Sequence, residues 1–116
     1  MLAREIHGRR FVAEDNRHGR STAETVFEYF VEEDGTITGS YSGGRILTGQ
    51  LVGRIVEADR ITLLFQCVTT SYELLSGTSE GRVSLDGSGV LRLHFEWAWL
   101  FGEEGGGTSR YVEIPA

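Results

Sequence analysis

Val90-Leu91-Arg92-Leu93-His94-Phe95-Glu96-Trp97-Ala98-Trp99-Leu100 is the most regular stretch of the chain. Leu91, Leu93, Phe95, Trp97 and Trp99 take one set of alternate positions; Arg92, His94, Glu96, Ala98 and Leu100 take the other. Successive side chains of a strand point to opposite faces, so this period of two specifies a half-buried β-strand with a large apolar inner face. A helix would need the apolar residues at spacings of three and four, and nothing sustained repeats that way anywhere in the chain.

The same reading extends outward in both directions. Upstream, Asp86-Gly87-Ser88-Gly89 is a hairpin loop, and residues 72–85, interrupted by Gly77 and Gly81, form a preceding strand. Residues 60–70 are apolar on both faces, Ile61-Leu63-Phe65-Cys67 on one and Leu64-Val68 with Gln66 on the other, so that strand needs cover on both sides. Residues 45–57 form a long strand in which Gly49 and Gly53 share a face with Leu47, Leu51 and Ile55, a spacing that marks bends or close packing where a sheet curls. Residues 22–32 and 36–42 flank Asp34-Gly35, a type I′ hairpin signal, with Phe27 and Tyr29 expected inward. Residues 8–14 open the series and are followed by the polar turn 15–19. Downstream of the opening stretch, the glycine-rich loop 102–107 leads into residues 108–114, stopped by Pro115.

That makes about eight strands in simple succession, the number with which an up-and-down barrel closes and removes exposed edges. The expected fold is therefore all-β: one antiparallel meander barrel of lipocalin or streptavidin type, spanning residues 1–116 with its core at about 8–114. A length of 116 residues suits one domain with a working hydrophobic core.

Composition narrows the partners. A net charge of -6 and eleven dispersed basic residues argue against nucleic acid. No run of eighteen apolar residues argues for a membrane span, and the first residues lack the apolar core of a signal peptide, so a cytoplasmic location is expected. Cys67 is the only cysteine, which excludes an internal disulfide and any cysteine-based metal cluster within one chain. His7, His18 and His94 are too scattered to suggest a metal site, and no motif asks for a cofactor.

Two motifs lose their chemistry on inspection. Gly77-Thr78-Ser79-Glu80-Gly81 has the spacing of a nucleophile elbow, but a strand follows Ser79 where the elbow requires a helix. The loop from Gly102 to Thr108 lacks the lysine of a phosphate-binding loop and carries Glu103 and Glu104, which would repel a phosphate.

Tyr41-Ser42-Gly43-Gly44 followed by Ile46, Gly49, Leu51 and Gly53, together with Leu91 to Trp99, resembles a family of short bacterial proteins often labelled "n-acetylglutamate synthase". The resemblance runs from about Gly8 to Ile114 and includes Thr25 to Tyr29 and Ser109 in the late loop. It implies a compact β fold and carries no catalytic residues across. Acetyl transfer from acetyl-coenzyme A calls for an α/β fold with a pyrophosphate-binding turn opening a helix, which this sequence does not offer.

Three functional readings follow. The first is a barrel that binds a small, partly apolar molecule, walled by Tyr29, Tyr41, Gln66, Trp97 and Trp99, since polar groups among aromatics are the makeup of small-molecule sites. The second is a barrel enzyme of isomerase or cyclase type, with Arg92 as anion clamp, His94 as acid–base group and Glu96 as orienter; it requires all three to converge on a concavity. The third is an interaction protein, most simply a homodimer, that buries the second apolar face of residues 60–70.

Overall fold

Alternation places strands where it predicts them. A computed structural model of the chain, which describes residues 1–16, 20 and 22–115, contains a short 3-10 helix η1 (Leu2–Ile6) and eight strands: β1 (Arg9–Asn16), β2 (Val26–Val31), β3 (Thr36–Gly43), β4 (Ile46–Glu57), β5 (Arg60–Thr69), β6 (Leu74–Leu85), β7 (Leu91–Phe101) and β8 (Gly106–Ile114). Each strand pairs antiparallel with its neighbour in sequence, and β8 pairs with β1 to close the barrel. The expected eight-strand meander is therefore the fold. The turn at 17–19, with His18, lies outside the described residues.

Antiparallel succession gives the barrel two distinct ends. The β2–β3, β4–β5 and β6–β7 turns share one end with η1; the β1–β2, β3–β4, β5–β6 and β7–β8 connections share the other. Alternate residues fill the interior, as in the row Phe11, Phe27, Tyr41, Gly49, Cys67 and Leu75 across six neighbouring strands. All of these except Gly49 belong to the buried core.

The helix η1 was not legible in the sequence, and it plugs one end. Ala3 and Ile6 are fully buried, and the Ala3 N–H donates to the Ala58 carbonyl at 2.8 Å. The Arg4 guanidinium donates to the Glu32 and Glu33 carbonyls at 3.1 and 2.8 Å, and His7 Nδ1 accepts from the Val31 N–H at 2.9 Å. The helix is thereby tied to both adjacent turns.

Three local expectations are corrected. The Asp34-Gly35 hairpin is not type I′, which needs positive φ at both central residues; only Gly35 has it, at φ 86°. The Glu32 N–H bonds to the Thr36 carbonyl at 2.8 Å, and the Asp34 carboxylate caps the Thr36 N–H at 2.9 Å, so the turn sits over Glu33 and Asp34 with Gly35 as its left-handed closing residue. β2 begins at Val26 because Thr22 and Thr25 form a turn, with the Thr22 N–H donating to Thr25 Oγ1 at 3.1 Å and Thr25 Oγ1 donating to the Gly43 carbonyl at 2.9 Å. β8 begins two residues earlier than expected, at Gly106, where a Cβ would lie 2.2 Å from the Trp97 carbonyl oxygen and only glycine tolerates the close strand approach. No helix among the described residues is long and apolar enough to cross a membrane.

Candidate functional site

The interior changes character along the barrel axis. Near η1 it is solid: Phe11, Ile37, Ile61, Val83, Leu91 and Leu93 are all within 1 % of complete burial. Toward the other end the inward residues are Phe65, Trp97 and Trp99, half-buried and packed edge to face, with the indole centroids 4.9 Å apart and Phe65 5.8 Å from Trp99. These rings wall an open-ended pocket of about 60 Å³.

Glycines make room for the rings. Gly49 faces Tyr41 across β3 and β4, and a Cβ there would sit 2.4 Å from the Tyr41 ring. The phenol therefore lies flat over the β4 backbone, stacked on Phe27 with centroids 4.6 Å apart, and its hydroxyl donates to the Gln66 carbonyl at 3.0 Å. Gly81 does the same for Phe95, whose ring would lie 2.3 Å from a Cβ. The interior glycines read as curl markers in the sequence are thus also seats for aromatic rings.

Polar groups punctuate this apolar wall. Trp97 Nε1 donates to Ser109 Oγ at 2.9 Å. Burial pushes the Tyr41 phenol far above its ordinary value, with the neighbouring Cys67 adding to the effect, and burial likewise raises the Cys67 thiol. Both stay neutral, so Cys67 is not an activated thiolate. Tyr29 and Ser79 are 1 % and 6 % exposed, and among the described residues neither hydroxyl has a hydrogen-bond partner. No sealed side-chain oxygen or nitrogen is left unpartnered among the described residues, so both oxygens touch the open space of the pocket they line. Burial raises the Tyr29 phenol as well, keeping it a neutral donor and acceptor.

Of the five residues expected to wall a pocket, Tyr29, Tyr41, Trp97 and Trp99 line it. Gln66 does not. It alternates outward from Cys67, its side chain is exposed, and its Nε2 donates to Gln50 Oε1 at 3.4 Å on the outer surface; only its backbone carbonyl serves the pocket, through Tyr41. The second triad is also displaced. Arg92, His94 and Glu96 lie on the outer face of β7, His94 and Glu96 exposed and Arg92 paired with Glu14 and Asp86. None of the three lines the aromatic pocket, because the tryptophans of the same strand take the inside and alternation sends these three out.

The sequence reading passed over Ser109 and Arg20 and set Ser79 aside. Ser79 keeps phase with inward Gly77, Gly81 and Val83, and Ser109 with inward Tyr111, so strand phase alone could have found both. Arg20 gave no such signal: it reaches the pocket mouth from the β1–β2 connection.

Residues 4–114 match the model of a family described as avidin-like protein. The chain belongs to the avidin-like family. Solved structures agree on the fold: the biotin binding protein from chicken aligns at 16% identity and a TM-score of 0.67, covering 99% of this chain and 100% of that one. Apo shwanavidin aligns at 13% and 0.66 over 93% and 95%, and a chain named AVR2 at 14% and 0.67 over 100% of both. No curated protein sequence matches. At such identities the likeness carries the barrel and not its pocket chemistry, so the pocket of this avidin-like chain has to be read from its own residues. Among its described residues, no three His, Cys, Asp or Glu side chains gather to hold a metal ion.

Proposed function

We propose that the barrel binds one small, partly apolar molecule through its open end, with its head against the Trp97, Trp99 and Phe65 rings and hydrogen bonds to Tyr29 and Ser79 beneath. The supporting observation is the pair of hydroxyls on buried residues that have no hydrogen-bond partner among the described residues and face an aromatic cavity. Each hydroxyl is open to the pocket, where a ligand hydrogen bond contributes about 0.5–1.5 kcal/mol. A reading as a barrel packed solid leaves those two hydroxyls unexplained.

The first compound to try is biotin, since one structural relative is named as a biotin binding protein; aromatic and heterocyclic molecules of similar size complete the panel. Trp97 and Trp99 are the only tryptophans of the chain, so intrinsic fluorescence reports the pocket alone. The expected result is a saturable fluorescence change and a rise in melting temperature, the stabilisation reaching about 2.7 kcal/mol at a ligand concentration a hundred times Kd. The double variant Tyr29→Phe with Ser79→Ala should bind roughly ten- to a hundredfold more weakly. No response from any compound would overturn the reading.

We infer, second, that the chain forms a two-fold dimer through the outer face of β4 to β7. Residues 48–52, 62–68, 74–78 and 98–100 contain no charged side chain, in a chain that is 24% charged. Val52, Leu64 and Leu100 stand 50–63% exposed on that face, with Val52 beside Leu64 and Gln50 beside Gln66 in register. An uncharged face is where two copies of a chain of net charge -6 can meet without mutual repulsion. Light scattering should give twice the 12.8 kDa chain mass, and Leu64→Glu should return the single-chain mass. A wild-type mass of one chain would end this reading.

A further inference from the structure

The aromatic pocket carries one soft nucleophile. Cys67, the only cysteine of the chain, stands on β5 two residues before its mouth-end residue Thr69 and shares the pocket lining with Phe65, Trp97 and Trp99. Opposite it on β4 is Gly49, and the Tyr41 ring lies where a Gly49 side chain would be. Arg20 straps the mouth above, its Nε 3.4 Å from Glu73 Oε1 and its Nη2 2.7 Å from Glu103 Oε2. Among the residues that line the pocket it is the only charged one, so a molecule that reaches Cys67 lies among neutral groups.

The same cavity shows a second, independent sign of a ligand in Tyr29 and Ser79, whose residues are more than nine-tenths buried and whose hydroxyls have no hydrogen-bond partner among the described residues. Cys67 itself is not an activated thiolate. Burial raises the thiol, while the Tyr41 hydroxyl beside the sulfur and the Arg20 guanidinium at the mouth draw it part of the way back. A sulfur in this state reacts slowly with reagents that need an exposed thiolate. Toward a neutral aromatic electrophile lodged in the cavity it gains by proximity, because the encounter becomes a reaction within one complex.

We propose that Cys67 is a covalent capture site for neutral aromatic molecules that carry an α,β-unsaturated carbonyl. The inference rests on the reading of the cavity as a ligand site and adds a reactive class of ligand to it. In the step, the sulfur bonds to the β carbon, the π pair of the carbon–carbon double bond moves to the α carbon, and the thiol proton ends there. No group leaves, and no outside oxidant or reductant takes part. The Tyr41 hydroxyl, which donates to the Gln66 carbonyl at 3.0 Å, is placed to turn toward the sulfur as charge develops on it.

The test treats the folded chain with N-phenylmaleimide, with N-phenylsuccinimide as its unreactive twin and iodoacetamide as a small reagent, and follows adducts by mass spectrometry. The chain has one cysteine and no lysine, so a single added reagent mass, located by peptide mapping, assigns the site. The labelling rate should saturate with N-phenylmaleimide concentration and fall when the twin is present. Its ratio to the iodoacetamide rate should exceed the same ratio for free glutathione roughly tenfold. A ratio no greater than that of glutathione, or a rate that rises without saturation, overturns the capture site. Saturable quenching of Trp97 and Trp99 by the twin, with no adduct from the maleimide, overturns it too and leaves the pocket reading standing. Neither quenching nor saturable labelling overturns both.

Discussion

The two ends of the barrel are built from the same eight strands and the same alternation, yet one is solid and the other hollow. At the η1 end aliphatic side chains interlock beneath a helix whose Ala3 and Ile6 are fully buried. At the other end large rings stand half-buried around space, with hydroxyls between them and an ion-paired arginine across the mouth. The difference lies in side-chain shape. Branched aliphatics fill the taper of a small barrel, whereas flat rings seated against glycine leave slots. A packed core and an open pocket are therefore separated along one axis.

That separation can be broken or sharpened by substitution. The largest effect belongs to the solid end: Leu93→Ala should remove about 3 kcal/mol of stability, measured by urea unfolding, because the rigid surroundings cannot collapse around the void. The pocket fluorescence of the folded fraction should stay unchanged. Next comes Gly49→Ala, whose added methyl must displace the Tyr41 ring from its place on Phe27; a cost of about 1–3 kcal/mol is expected, with an altered near-ultraviolet signal from the pocket aromatics. Trp97→Phe loses the indole hydrogen bond to Ser109 and should cost about 1 kcal/mol, since the ring already borders open space. A loss at Trp97 as large as that at Leu93 would refute the division into a packed and an open end.

The smallest effect is a pH dependence at the solid end. Hydrogen bonds from the Ser88 hydroxyl and the Val90 and Ser88 backbone N–H groups, with Arg92 adding to them, hold the Asp86 carboxyl well below the usual carboxylate range. A carboxylate depressed in the folded state contributes fully above its unfolded value of about 3.9, and the contribution is lost as pH falls toward the folded value. Asp86→Asn should therefore flatten the acid side of the stability profile below about pH 4 and leave the pocket unaffected. An unchanged acid limb would exclude Asp86 as its source.

Much of this contrast was readable beforehand, and the exceptions have physical causes. Strand positions followed from alternation because one face of every strand is buried, and the inward set of β7 was legible for the same reason. Gln66 misled because a polar residue in an apolar run signals either an inner hydrogen bond or an outer surface, and phase settles which: it alternates with buried Cys67. The same rule places Arg92, His94 and Glu96 outside, opposite Trp97 and Trp99. The helix η1 was hidden because five residues are too few to show a helical period, and its burial comes from distant turns. The Arg20 strap joins residues 53 and 83 positions apart, a relation created only when the barrel closes.

Closure itself is carried by a single seam. Seven of the eight strand pairings join neighbours in sequence, while β1 against β8 joins positions about a hundred residues apart, as with Arg10 beside Ile114. Hairpin pairings cost little chain entropy, so the sheet can grow one strand at a time, but the last pairing must bring the two ends of the chain together. Until it does, the growing sheet has two raw edges and the pocket has no complete wall. The seam contains an irregularity of its own between Ala13 and Asp15. The cavity is therefore walled on every side only where the first and last strands of the chain meet.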